Sequence, residues 1–166
     1  MFADGFIAEH IFEILGLLVT VGGVWLVVKQ LNETRLASQM EGMLALTERN
    51  AALLDHIDIF SKFVNTDKWK KADGQAARKI IFDSKKNRNA FLELGSFYEI
   101  VGVLVGRKVL DENLAYDYFG DFLSTRWTLV EKAVKGQREQ INNETYLNHW
   151  EWLAKKFEAE TAKRNS

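Results

Sequence analysis

The chain has 166 residues, a formal net charge of −1, and neither cysteine nor proline. At this length it can form one soluble domain beside a membrane segment. The absence of cysteine excludes disulfides, cysteine metal sites and a cysteine nucleophile, and the absence of proline permits long helices. The small net charge hides a segregation, because residues 62–88 carry nine basic and three acidic side chains, whereas residues 89–125 carry six acidic and two basic ones.

The N-terminal stretch Phe6–Val28 is apolar enough to predict a membrane-spanning helix. At ~1.5 Å per residue such a helix is roughly 34 Å long, and the hydrocarbon core of a bilayer is about 30 Å thick. The N-terminus lacks the basic region and the cleavage pattern of a secretory signal, so we expect the helix to be retained. Lys29, Arg35 and Arg49 follow the stretch, which predicts an external N-terminus and a cytoplasmic remainder.

The polar residues of this stretch recur at helical spacing along one face. That face contains Glu9, Glu13, Gly16, Thr20 and Gly23. Carboxylates inside a span are costly against lipid, so they face a bundle interior or water. Several copies packed around an axis would bring the small residues to the closest approach and form two rings of Glu, which favour cations. The stripe therefore predicts a homo-oligomeric, cation-conducting pore.

A simpler interpretation of the same stripe stays open. Glu9, His10 and Glu13 lie in the first two turns, so the span could begin near Ile14 and leave them among the lipid headgroups. The remaining segment, Ile14–Val28, would be short for a span. On this interpretation the helix is only an anchor.

The rest of the chain predicts helices, so the fold class is all-α with an N-terminal transmembrane helix continuing into a cytoplasmic helical bundle. Asp111 is placed to cap one helix, and the run FLELGSFYEIVGVLV is expected to be a buried core helix because Glu93 and Glu99 interrupt it. The predicted segments are a transmembrane helix over 1–29, a cytoplasmic domain over 30–166 with a stalk over 30–64, a loop over 65–74, helices over 75–105, 112–141 and 144–162, and a bundle over 75–162.

Catalysis has little support in the sequence. The three histidines, His10, His56 and His149, fall in different predicted helices and show no two-histidine metal spacing. No glycine-rich phosphate loop, nucleophile elbow or paired catalytic carboxylates outside the span stand out. We therefore predict that the chain is not an enzyme and that it needs no cofactor or metal.

Basic and aromatic residues just inside the predicted membrane indicate a ligand with phosphates. Lysine and arginine neutralise phosphates, and a neighbouring aromatic ring can stack on a base. Two alternatives stay open, since such residues also contact anionic lipid headgroups or form a solvated helix face. The candidate nucleotide-binding residues are Lys68, Trp69, Lys70, Lys71, Arg78, Lys79, Lys85, Lys86, Arg126 and Arg138.

The second half of the chain carries a resemblance. The runs FLELGSFYEIVGVLVGRKVLDENL, FGDFLSTRWTLV and YLNHWEWLAKKFE, together with Arg138, resemble a widespread family of small bacterial membrane-anchored helical proteins of unknown function. The resemblance lies in apolar and aromatic positions at helical spacing from Asn89 onward. It implies a helical fold and gives no expectation about the activity.

The overall plan, one span followed by a small helical domain, is also similar to membrane effectors of bacterial antiviral defence. These are the type III CRISPR effector that binds cyclic tetra-adenylate and the channel effector of the Hailong system controlled by oligoadenylate. This similarity implies a homotetramer in the inner membrane that binds an oligoadenylate or cyclic nucleotide and leaks ions. The alternative is a membrane-anchored adaptor that docks a partner protein without a pore; a membrane-bound enzyme acting on nucleotides or lipids is a third class.

Overall fold

The computed structural model describes the backbone of residues 3–165 and the side-chain surroundings of residues 23, 25–120 and 122–165. All of the regular structure between residues 3 and 165 is helical, which confirms the all-α prediction. The helices are α1 Ala3–Ala52, α2 Leu54–Val64, α3 Asp67–Lys70, α4 Gly74–Phe82, α5 Lys85–Gly106, α6 Glu112–Ile141 and α7 Asn148–Arg164.

The chain divides into two compact units, Met1–Glu41 and Gly42–Ser166, and the division falls within α1. In the first unit, the large apolar side chains that the structure describes are exposed; they are Trp25, Leu26, Val27, Val28, Leu31, Leu36 and Met40. Of the predicted pore stripe, Gly23 is exposed and a Cβ built on it would meet no atom within 4 Å. The side chains of Glu9, Glu13 and Thr20, and the surroundings of Gly16, lie outside the described residues.

Helix α5 is the central element of the second unit. It packs against α2, α4, α6 and α7, and it buries nine of its residues. Phe91, Tyr98 and Val101 have no exposed surface. Burying a side chain of this size contributes about 1.5–3 kcal/mol. The core of this unit is therefore built around one helix.

Among the described residues, α5 is also the one helix that is long and apolar enough to cross a membrane. Half of its most apolar stretch is buried inside the unit. Packing against four neighbouring helices accounts for its apolar composition, as the core helix of a soluble domain has the same composition.

The predicted helix over 75–105 is wrong in one respect, because it is two helices. Helix α4 ends at Phe82 and α5 begins at Lys85. The Ser84 hydroxyl accepts a hydrogen bond from the Asn87 backbone N–H, and Asn87 Nδ2 donates to the carbonyl of Ile80. These bonds satisfy backbone groups at both helix ends, so the chain can turn without losing hydrogen bonds.

Other boundaries also differ from the sequence prediction. The predicted stalk helix is interrupted at the buried Leu53, between α1 and α2. The predicted loop over 65–74 contains the helical turn α3, capped by the Thr66 side chain. The last helix begins at Asn148 and not at residue 144. The predicted α6 and its Asp111 cap are confirmed, because Asp111 Oδ1 accepts from the Leu114 N–H at 3.0 Å.

Replacing Gly136 with Ala should destabilise the second unit. A Cβ at Gly136 would overlap the backbone carbonyl of Gly74, where α4 crosses α6. Backbone cannot move aside as a flexible side chain can, so we expect a loss of about 1–3 kcal/mol in the free energy of unfolding, measured by urea denaturation. Gly42→Ala is the matched control, since its Cβ meets nothing within 4 Å and should add roughly 0.5–1 kcal/mol through helix propensity. Equal effects of the two substitutions would contradict this account.

Candidate basic groove

A surface groove lies where α3, α4 and the start of α5 meet. Its volume is about 590 Å³, enough for a small ligand. Lys68 comes from α3 and Lys79 from α4, so two predicted binding residues converge here. The groove is lined by Lys68, Ala76, Lys79, Ile80, Asp83, Ser84 and Asn87. We call this surface the basic groove.

Two features favour an anion in the basic groove, and one carboxylate opposes it. Neither Lys68 nor Lys79 forms an ion pair with any described side chain. Ser84 caps the N-terminus of α5 within the groove lining, and the partial positive charge of a helix start attracts negative groups. Ala76 and Ile80 supply the apolar part of the wall, and Asp83 is the carboxylate among the described lining residues. The arrangement can hold a phosphate at one side and an apolar group at the other.

Trp69 does not contribute an open ring to the basic groove. Its side chain is 4% exposed and packs edge-on against Phe63, with ring centroids 5.1 Å apart. A ring buried in this way is part of the core, and its face is covered for a base that arrives from solvent. The predicted stacking role therefore has no exposed surface in this structure.

The remaining lysines among the candidate residues are exposed and lie outside the groove lining. They are close in sequence to the lining residues but do not line the groove themselves; they are Lys70, Lys71, Lys85 and Lys86. The carbonyl of Lys70 accepts a hydrogen bond from Lys132 Nζ at 3.1 Å, which ties α3 to α6. These lysines add positive potential near the groove.

Arg78 links two helices. Its Nε donates to Gln137 Oε1 at 2.8 Å, and its guanidinium lies 5.2 Å from the Phe82 ring centroid. Both contacts are to neutral groups on α4 and α6. Arg78 is therefore placed as a connection between these helices.

Arg138 forms a buried connection at the turn between α6 and α7. It is 9% exposed, and its Nε donates to the carbonyl of Tyr146 at 2.9 Å while Nη1 donates to Glu151 Oε2 at 2.7 Å. Burial alone would raise the pKa of Glu151, but hydrogen bonds from Lys155 and Arg138 outweigh it and hold that pKa below its ordinary value. The arrangement is that of a structural ion pair.

Arg126 is as buried as Arg138 but has different partners. Its Nη1 donates to Asn50 Oδ1 at 2.6 Å and to the hydroxyl of Tyr98. The guanidinium lies 5.6 Å from the Tyr98 ring centroid and 5.0 Å from that of Phe122. Burial lowers the pKa of Arg126 to about 10. This site joins the end of α1 to α5 and α6 and is separate from the groove lining.

Sequence reasoning missed the Asp83, Ser84 and Asn87 part of the groove. The signal was available, because serine is one of the residue types preferred at a helix N-cap. The strong helical periodicity on both sides concealed it, and one long helix was predicted through this point.

These features define an all-helical protein with an apolar N-terminal helix and a basic groove on its second unit. The chain belongs to the family described as a domain of unknown function, DUF4760, which matches residues 11–157. The match includes most of the apolar N-terminal stretch as well as the helical bundle. No match was found among curated proteins or among solved structures.

The Arg138–Glu151 pair gives a pH-dependent prediction. Because the pKa of Glu151 is lowered in the folded chain, its stabilising contribution is present above the unfolded pKa, near 4.3, and is lost as the pH falls through the folded pKa. We expect the free energy of unfolding to fall between about pH 5 and pH 3, and Glu151→Gln to flatten that dependence.

Arg138→Met should lower the free energy of unfolding by about 1–3 kcal/mol at neutral pH, because Glu151 loses its buried partner and keeps only the exposed Lys155. Lys135→Gln is the control, since Lys135 is exposed and pairs within its own helix with Glu131. Urea denaturation at each pH measures both effects. An unchanged pH profile in Glu151→Gln would show that this pair does not stabilise the fold.

Proposed function

We propose that this chain is a single-pass membrane protein whose cytoplasmic helical domain binds a nucleotide ligand through its phosphates. The observation that carries the proposal is the convergence of Lys68 and Lys79, from separate helices, on one groove at the start of α5. Both ammonium groups lack a carboxylate partner among the described side chains. Such groups are available to neutralise phosphate.

In the basic groove the phosphates would lie between the two lysines and the first amides of α5. The base or sugar would rest on Ala76 and Ile80, and Asp83 could accept a hydrogen bond from a hydroxyl or amino group. Because Trp69 is buried, stacking contributes little. The affinity should therefore come mainly from charge and should fall steeply with salt.

The membrane part of the proposal is supported by the end of the apolar stretch. Trp25 is 62% exposed, and Lys29 Nζ lies 5.8 Å from its ring centroid. Tryptophan followed by lysine is typical of the cytoplasmic boundary of a span, where the ring lies at the headgroups and the ammonium reaches water. The exposed apolar side chains around Trp25 would then be covered by lipid or by other copies of the helix.

We further propose that the output is cation conduction. In a homotetramer of the inner membrane, Glu9 and Glu13 would attract cations, while Gly16, Thr20 and Gly23 would allow the helices to approach. This part is supported by the spacing of these residues in the sequence. A role in antiviral defence remains the expectation from the similar overall plan.

The alternative function is a membrane-anchored adaptor, and one observation favours it. The second unit exposes several large apolar side chains to solvent, among them Ile100 at 51% and Val109 at 58%. Such side chains are common at surfaces that bind other proteins. In an adaptor the N-terminal helix would act only as a tether.

The double variant Lys68→Gln, Lys79→Gln should weaken nucleotide binding about tenfold or more, because it removes both unpaired charges of the groove. Fluorescence anisotropy of a dye-labelled triadenylate with full-length protein in detergent measures the dissociation constant, at two salt concentrations. Lys135→Gln is the matched control, an exposed lysine on α6 that does not line the groove. If the double variant binds as wild type does, the groove is not the nucleotide site.

Purified full-length protein in liposomes should conduct potassium, and the double variant Glu9→Gln, Glu13→Gln should lose rate or cation preference. The flux is measured with and without triadenylate.

Replacing Phe6–Val28 with a polyleucine helix of equal length should abolish a pore but preserve an adaptor. Absence of flux from wild type under both conditions would favour the adaptor, as would a chain that chemical crosslinking in detergent shows to be a monomer.

A further inference from the structure

Two arginines of the second unit are equally buried, and among the described side chains only one of them has a carboxylate partner. Arg126 and Arg138 are each 9% exposed. Arg138 donates to the carboxylate of Glu151 and to a backbone carbonyl. Arg126 donates only to neutral oxygens, those of Asn50 and Tyr98, among the described side chains. A buried charge without a counter-charge is costly, and proteins normally pair it or bind a ligand with it.

The part of the Arg126 guanidinium that has no hydrogen-bond partner among the described groups is the edge formed by Nε and Nη2. Both of its hydrogen bonds to described groups leave from Nη1, so Nε and Nη2 remain. These two nitrogens lie side by side and form the fork that accepts a carboxylate or a phosphate with two parallel hydrogen bonds.

That edge meets solvent. In the described part of the chain, the side-chain nitrogens that are both enclosed and without a partner are His56 Nδ1, Trp127 Nε1 and Arg138 Nη2. Nε and Nη2 of Arg126 are not among them. Phe122, whose ring lies on the guanidinium, is 52% exposed, so the site opens to the surface beside this ring.

The surroundings also hold the guanidinium in place. Tyr98 and Phe122 contact it with their rings, and Asn50 accepts from both Arg126 and the Tyr98 hydroxyl. The three partners come from α5, α6 and α1. A side chain fixed from three helices loses little further freedom when a ligand binds, which favours binding.

We propose that the free edge of Arg126 binds a small oxyanion, a phosphate or a carboxylate, at a site distinct from the basic groove. Tyr98 lies eleven residues beyond Asn87 on α5, which places the two sites roughly 16 Å apart along that helix. The proposal does not depend on the nucleotide function, because none of its residues lines the groove.

The test uses full-length protein in detergent and measures the midpoint of thermal unfolding while inorganic phosphate, or in a second series acetate, replaces chloride at constant ionic strength. With a dissociation constant of about 1 mM, ~10 mM anion should raise the midpoint saturably by roughly 3–5 °C. The phosphate and acetate series distinguish the two ligand chemistries.

Asn50→Asp is the decisive variant, because it changes one amide to a carboxylate at an atom that already accepts from Arg126. It supplies a counter-charge at Nη1, so its basal midpoint should rise. The Nε–Nη2 edge stays open, but the new carboxylate repels an anion there, so the response of the midpoint to anion should be lost. Arg126→Met should also lose the rise of the midpoint with anion. That variant could fail to fold, whereas Asn50→Asp keeps the arginine and its packing, so the test does not depend on Arg126→Met. The variant Lys68→Gln, Lys79→Gln should keep the response.

The site is supported if anion raises the unfolding midpoint of the wild type saturably, if Asn50→Asp loses this rise, and if the groove variant Lys68→Gln, Lys79→Gln keeps it. No saturable rise with either anion would overturn it. So would a rise that Asn50→Asp retains, or one that the groove variant abolishes, since the anion would then bind elsewhere.

Discussion

The burial of α5 on several sides is the constraint on which the second unit depends. Four helices pack against it, and Gly102 is the point of closest approach, since a Cβ there would overlap the backbone of His149 on α7. The backbone of α7 lies directly against the backbone of α5 at Gly102, since glycine has only a hydrogen atom in place of a side chain. A larger residue here would push the two helices apart. Glycine at this position thus brings Trp150 into the core, where it is fully buried.

The same helix also determines where α7 begins. Glu99 on α5 accepts from the Trp150 N–H at 2.9 Å and contacts His149 Nδ1 at 2.7 Å, so its carboxylate satisfies the helix start from outside. Leu147, the residue before α7, has a positive φ and provides no side-chain cap. A cap supplied from fifty residues away leaves no local pattern, which is why the sequence predicted a start at residue 144.

The sequence predicted those features of the fold that depend on residues close together in the chain. Helical periodicity identified the fold class, and Asp111 identified the start of α6, because a helix start with its own capping side chain is a short-range event. The roles of Trp69, Arg126 and Arg138 depend on partners distant in sequence. Their residue types suggested ligand binding, whereas burial against Phe63 and pairing with Glu151 are consequences of packing.

The segregation of charge along the sequence persists in the folded second unit. Acidic residues of the segment 89–125 could have neutralised the basic segment 62–88, but in the described residues they pair with α1 and α7. The ion pairs are Glu93 with Arg49, Glu112 with Lys156 and Asp117 with Arg164, and Glu99 contacts the His149 ring. The one basic residue of 62–88 with a described ion pair is Lys62, which pairs within its own helix. The region around the basic groove therefore retains its positive charge, and a ligand with phosphates is the chemistry that such a surface favours.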